Sequence, residues 1–272
     1  MYERYWHLER NPFDDDLELR GFFASQTHQA TLLKLRYLIE NGKGTGLLVG
    51  GTGFGKSYLL SVLARQMGES HGPFVHLVFP QLSPAELLGY LAAELGAGDL
   101  AGSAAGLDRI VREIDQRLKA LNEAGRHPVL IVDEAHLIED VQVFQALRLL
   151  TNFQQQKRRF SLILAGQREL LNTVRRLGQL EERVAVKSLL RALSQDETAG
   201  YVACRLEAAG SKRPLFDPAA LRPIHELSGG VPRRINRICD LSLLVGFADE
   251  SEMISAEQVQ AVADELTTVV AD

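Results

Sequence analysis

The chain has 272 residues, of which 46% are hydrophobic and 24% charged, and this composition excludes a disordered or fibrous polypeptide. Its 30 Lys and Arg against 35 Asp and Glu give a formal charge of −5, which excludes bulk attraction to nucleic acid but leaves local basic patches open. Cys204 and Cys239 have no CxxC neighbour, which argues against a zinc site or a disulfide framework; no stretch nears the roughly 20 apolar residues of a membrane span. The opening residues lack the apolar core of a signal peptide, so the expected location is cytoplasmic.

Short apolar runs alternate with longer segments of helical period through the first two thirds, the pattern of a parallel sheet with helices on its faces. Strands are predicted over 46–50, 74–79, 129–133, 161–165 and 184–189. Helices are predicted near 27–40, 56–67, 84–95, 107–124, 141–156 and 168–178. From Ser194 onward only helical signals remain, over 195–208, 218–227, 232–246 and 256–269. Ser194 with Glu197 reads as a capping box, and Asp217-Pro218 as an N-cap with proline at the first helical position. The chain is therefore expected to divide into an α/β domain, 1–192, and a helical domain, 193–272. The Gly- and Ala-rich stretch 96–106 reads as a surface loop.

The sharpest motif is Gly50-Gly51-Thr52-Gly53-Phe54-Gly55-Lys56-Ser57, which satisfies GxxxxGK[ST] between a predicted strand and an amphipathic helix that continues through Tyr58. Glycines let successive backbone N–H groups turn toward phosphate oxygens, and the helix brings its positive end to the same place. Lys56 then reaches the β- and γ-phosphates and the Ser57 hydroxyl ligates Mg²⁺, while Phe54 is expected to point outward. The apolar run Val129–Val132 ends in Asp133-Glu134-Ala135-His136. A carboxylate at a strand end beside such a loop can hold the Mg²⁺ water shell, the role expected of Asp133. Glu134 is suited to polarising an attacking water. The spelling DEAH also occurs in a helicase class, but here His136 reads as the start of the next turn. Gln167, after the run Phe160–Ala165, either bridges water and γ-phosphate or is a solvated loop amide. Arg233 and Arg234 fall in the first turn of a helix opened by Gly229-Gly230-Val231-Pro232, where cations oppose the helix dipole and call for a negative partner such as a nucleotide phosphate.

Together the loop, the DE strand, the polar residue after the next strand and the GxPR helix resemble an AAA+ ATPase. The fold implied is an α/β P-loop NTPase with a five-stranded parallel sheet and a C-terminal all-helical lid. Met1-Tyr2 with Asn11-Pro12-Phe13, the segment Phe23–His28, Leu164–Gln167 and Gly230–Asn236 are similar to ATPases of the ExeA/GspA type, associated with type II secretion and pilus-related assembly. The same module is similar to transposition ATPases of the TniB/TnsC type, which assemble on DNA. The resemblance implies ATP and Mg²⁺ as cofactors, Gln167 as a first sensor, Arg233 as a second, and Pro12 and Phe13 over the adenine. Adenine rests on this resemblance, since no guanine-reading NKxD motif is present. It also implies a homo-oligomer with sites between subunits, in which Arg183 is the candidate finger into a neighbour's site; Arg176 is the alternative, and a surface role for either stays open. The partner implied is a protein client or envelope assembly, with duplex DNA as the alternative, or a nucleotide-gated scaffold with little turnover. The secretion relatives continue into a membrane span and a peptidoglycan-binding region, whereas this sequence stops at Asp272.

Three weaker signals have bland readings beside the functional ones. The basic run Lys157-Arg158-Arg159 reads as a solvated turn before it reads as a DNA contact. His28 reads as a packing or capping residue rather than a metal ligand. Tyr2, Tyr5, Trp6 and Phe13 make an aromatic-rich start that is expected to dock on the chain's own surface.

Overall fold

The computed structural model describes residues 1–14, 21–78, 80–97, 106–154 and 160–268. The chain forms two compact units, one of Thr27–Thr52 and Leu59–Leu190, the other of Met1–Gln26, Gly53–Tyr58 and Arg191–Asp272. This division is more interleaved than a single boundary at residue 192, and the first 14 residues show why. Tyr2, Trp6, Leu8 and Phe13 are buried among Tyr201, Ile235, Leu243 and Ile254 of the helical unit. An aromatic-rich terminus gains more from that apolar contact than from solvent.

The first unit holds a five-stranded sheet of β1 (Thr45–Val49), β2 (Phe74–Leu77), β3 (Val129–Val132), β4 (Ser161–Gly166) and β5 (Val184–Leu189). The spatial order is β2-β3-β4-β1-β5 and every pairing is parallel. Every residue of β1, β3 and β4 is buried, as a parallel sheet covered on both faces requires. Its helices are α1 (Gln26–Glu40), α2 (Lys56–Met67), α3 (Pro84–Glu94), α4 (Leu107–Glu123), α5 (Val141–Leu150), α6 (Glu169–Arg176) and α7 (Gly178–Glu181), save Gln26 and residues 56–58, which group with the second unit. Leu47, Leu130, Val132 and Leu164 are among the strand residues of one core, with Leu91, Leu118 and Phe144 among the helical residues packed there.

Most boundaries fall within two residues of the sequence expectation, and three differ in kind or lie partly outside the described residues. Strand β2 ends at Leu77, and Phe79 lies outside the described residues. The helix expected over 141–156 stops at Leu150 and gives way to a 3₁₀ turn, Thr151–Gln154, where the Thr151 hydroxyl donates to the Arg148 carbonyl at 2.5 Å; residues 155–156 are outside the described set. The helix expected over 168–178 is split into α6 and α7 at Leu177, whose φ of −98° and ψ of 65° leave the helical region. Most of the loop 96–106 and all of Lys157-Arg158-Arg159 fall outside the described residues.

The second unit holds α8 (Gln195–Ala208), α9 (Pro218–Ser228), α10 (Pro232–Ala248) and α11 (Ala256–Thr268). Ser194 and Glu197 form the capping box, and the Asp217 side chain accepts from the Ala219 N–H ahead of α9. Trp6 Nε1 donates to the Leu243 carbonyl at 3.0 Å, and its ring lies over Gly246 of α10. A Cβ at Gly246 would lie 2.2 Å from Ile254 Cδ1 and 3.0 Å from Trp6 Cζ2. Trp6 is the one tryptophan of the chain, so its fluorescence reports on this unit. Gly246→Ala is expected to lower stability by about 1–3 kcal/mol through overpacking, read as an earlier tryptophan unfolding midpoint in urea.

Candidate functional site

Strand β1 runs into the glycine loop, where the Gly50 N–H donates to the Gly166 carbonyl at 3.1 Å. Gly53 and Gly55 have φ of +77° and +83°, values that an L side chain would strain to adopt. Lys56 opens α2 and is only 5% exposed. Ser57 is exposed, whereas Phe54 is half-buried rather than turned fully outward. Tyr58 is half-buried, with its ring 5.7 Å from that of Phe22.

In the sheet, β4 lies between β3 and β1, and all three strands point the same way. Their carboxyl ends therefore bring Gly50–Thr52, Gly166-Gln167 and Asp133-Glu134 to one edge. Asp133 is 1% exposed. Its Oδ1 accepts the Glu134 N–H at 2.9 Å, and its Oδ2 lies 3.3 Å from His76 Nε2 on β2. Glu134 has a left-handed backbone, φ 48° and ψ 33°, and precedes a 3₁₀ turn, Ala135–Leu137. Its Oε2 lies 3.3 Å from His136 Nδ1. Gln167 is half-buried between β4 and α6, and its carbonyl accepts the Leu170 N–H.

The helical unit holds the remaining loop residues and Arg233. Helix α10 has no side-chain N-cap, and the Gly53 carbonyl takes one of its unsatisfied donors, the Arg233 N–H, at 3.3 Å. Gly230 precedes this helix with φ of +68°, and a Cβ there would lie 2.1 Å from the Leu193 carbonyl oxygen, so the turn admits glycine alone. A cavity of about 500 Å³ is lined by Asn11, Phe13, Arg233, Arg234, Arg237 and Asp240, among others. Phe13, expected over the adenine, and Arg233, expected as a second sensor, both line this cavity. Phe13 is also packed edge-on against Phe216, 6.3 Å between ring centroids. Pro12 is buried, and its carbonyl accepts from Arg205 Nε at 2.6 Å. Asp240 accepts from the Tyr2 hydroxyl and from Asn11 Nδ2. Burial, then the bond to Asp240, pushes the Tyr2 phenol well above its ordinary range. Tyr201, which donates to Asn236 Oδ1 at 2.7 Å, is pushed up to about 12 by burial.

The two arginines proposed as fingers stand in different surroundings. Arg183 is half-buried, donating to Asn152 Oδ1 at 2.6 Å and to the Thr151 carbonyl at 3.5 Å, beyond the carboxyl end of α5. A cation is favourable there for its own chain's stability. Arg176 is exposed in the last turn of α6, with no hydrogen bond or ion pair among the described residues. Sequence reasoning missed His76 and His136 as neighbours of the two carboxylates. The DEAH spelling placed His136 two residues from Glu134, but only the left-handed turn brings its ring back; His76 had no local signal.

The "AAA domain" family model matches residues 39–174, which are 136 of the chain's 272. General secretion pathway protein A of Aeromonas hydrophila is 33% identical over 273 residues, covering 99% of this chain and 49% of that protein. The chain thus spans about half the length of this curated relative. Among solved structures, the ORC2 protein of Aeropyrum pernix in its ADPNP-ADP complexes has a TM-score of 0.70 at 17% identity, covering 94% of this chain and 72% of that one. Cdc6p from Pyrobaculum aerophilum has a TM-score of 0.73 at 16% identity, over 93% of this chain and 70% of that one. The RuvB Holliday junction branch migration motor of Thermotoga maritima has a TM-score of 0.61 at 19% identity, over 93% and 73%. At these identities the structures show a shared fold, and the matched domain spans the loop, the DE strand and β4: the chain belongs to the AAA domain family of P-loop ATPases.

Proposed function

We propose that this chain binds ATP with Mg²⁺ and hydrolyses it, and that turnover changes contacts between copies of the chain in the service of a secretion- or pilus-type envelope assembly. The observation that carries the catalytic reading is the sheet edge where Asp133-Glu134, Gly166-Gln167 and the first residues of the GxxxxGK[ST] loop end together. The buried lysine and the positive-φ glycines suit a polyphosphate, and a buried aspartate with a serine suits a Mg²⁺ that keeps most of its water and phosphate ligands. When bound, the nucleotide supplies a phosphoanhydride whose γ-phosphoryl group is the electrophile. In this reading Lys56 neutralises its charge, Ser57 and Asp133 hold the metal side, Gln167 contacts the γ-phosphate and water, and Glu134 orients the attacking water. Arg233 is the residue proposed to sense the nucleotide, and Phe13 with Pro12 to form the adenine side.

The envelope role rests on the 33% identity to General secretion pathway protein A, which extends across nearly all of this chain. A DNA-associated role is the second reading, favoured by the exposed Arg233, Arg234 and Arg237 near the start of α10. Among the described residues no helix is long and apolar enough to cross a membrane.

Turnover measured against protein concentration, with and without duplex DNA, separates the two. A rate per subunit that rises with concentration and ignores DNA supports the envelope reading, while a strict requirement for DNA overturns it. Glu134→Gln is expected to lower kcat by about 10²–10⁴-fold with ATP affinity kept. Lys56→Ala should weaken nucleotide binding itself by about tenfold or more; full turnover in Glu134→Gln would remove the assigned base.

A finger in trans is better supplied by Arg176 than by Arg183, because Arg183 would first have to give up its bonds to Asn152 and Thr151. Arg176→Ala is expected to cut turnover by about 10³-fold without loss of ATP binding. Mixing it with Glu134→Gln subunits, which carry the arginine, should restore part of the rate. No rescue in the mixture counts against a site shared by two copies.

A further inference from the structure

Glu134 is a non-glycine residue held at φ 48° and ψ 33°, a conformation that costs on the order of 1 kcal/mol and persists only where its surroundings enforce it. Its backbone N–H is tied to Asp133 Oδ1. Its side chain is 37% exposed, and the polar group beside the carboxylate is His136 Nδ1, 3.3 Å from Oε2. The His136 side chain is 9% exposed, and its Nδ1 is buried without an aligned hydrogen bond. A buried ring nitrogen in a structural role is normally satisfied, whereas this one faces a carboxylate at ion-pair distance. The end of β4 lies beside the ring, where a Cβ on Gly166 would be 3.3 Å from Nδ1 and 3.2 Å from the His136 backbone nitrogen.

We infer that His136 is a positioning residue that restrains the Glu134 carboxylate at the sheet edge through Nδ1. The inference rests on the reading of Glu134 as the group that orients the attacking water. The left-handed turn brings the ring back beside the carboxylate, and the bare Gly166 backbone leaves room for it there. A small rotation of either side chain aligns the 3.3 Å contact into a hydrogen bond. His136 touches neither substrate nor metal in this role; it limits the arc over which the carboxylate swings.

The test uses the full chain and substitutions matched to the ring's two nitrogens. An asparagine amide sits the same number of bonds from Cβ as Nδ1, whereas a glutamine amide reaches toward the position of Nε2. His136→Ala is expected to lower kcat about tenfold, with the affinity for a fluorescent ATP analogue within about twofold of the parent. His136→Asn should recover most of the rate and His136→Gln little of it. In a Glu134→Gln background the alanine change should cause no further loss, since there is no carboxylate left to position. An unchanged kcat in His136→Ala overturns the inference. So do equal losses in the alanine and asparagine variants, a parallel loss of nucleotide affinity, or a further loss in the Glu134→Gln background. Gly166→Ala gives a second route, because its methyl group displaces the ring by a few tenths of an ångström and should lower kcat with KM unchanged. If Glu134→Gln itself keeps turnover, the base assignment fails; if it is silent and His136→Ala is fully active, only the positioning role fails.

Discussion

A parallel sheet buried on both faces can carry polar groups only where its strands end. Strands β1, β3 and β4 are apolar or small in nearly every position and wholly buried, so their interiors offer nothing for chemistry. Each then changes character within one or two residues, into Gly50, Asp133 and Gly166-Gln167. Because β4 lies between the other two, hydrogen bonding of the sheet sets the spacing of these ends before any side chain takes part. Even the loop's entry obeys the ladder, with the Gly50 N–H continuing onto the Gly166 carbonyl.

The helical unit solves a different problem, that of opening a helix without a capping side chain. Val231 precedes α10, and proline occupies its first turn, leaving backbone donors for other groups to satisfy. The Gly53 carbonyl takes the Arg233 N–H, and the absence of a side chain on Gly53 permits the approach: a Cβ there would lie 2.9 Å from Arg233 Cβ. Further along the same helix, Gly246 admits the Trp6 ring, and Asp240 receives Tyr2 and Asn11. The amino-terminal segment is therefore part of the helical core, and the sequence reading that assigned it to the α/β domain followed chain order rather than packing.

Much of the architecture was legible because its signals are local. The motif GxxxxGKS between an apolar run and a helical period, and the run VLIV ending in two acids, identify β1, α2 and β3 from neighbouring residues alone. The caps at Ser194 and Asp217 were legible for the same reason. What escaped was set by geometry between distant segments or by a single backbone dihedral. Nothing near His76 announces Asp133, 57 residues away. The break at Leu177 interrupts a segment whose periodicity continues across it. Arg183 was read from its place before the fifth strand, yet its bonds to Asn152 and the Thr151 carbonyl depend on where α5 stops, which the helical pattern through 156 obscured.

The two adjacent carboxylates differ in how firmly they are held, and the difference bears on the roles proposed for them. Asp133 is almost wholly buried, accepts the Glu134 N–H at one oxygen and meets His76 at the other. A carboxylate that organises a metal's water shell gains from such immobility, because its oxygens are already placed when the cation arrives. Glu134 is one residue later, more exposed, and meets His136 Nδ1 at 3.3 Å without an aligned hydrogen bond. A group that orients water must follow the nucleophile as the bond forms, so a restrained arc suits it better than a fixed point. The left-handed turn at Glu134 lets successive residues of one short segment serve both needs, by reversing the chain at once after the buried aspartate.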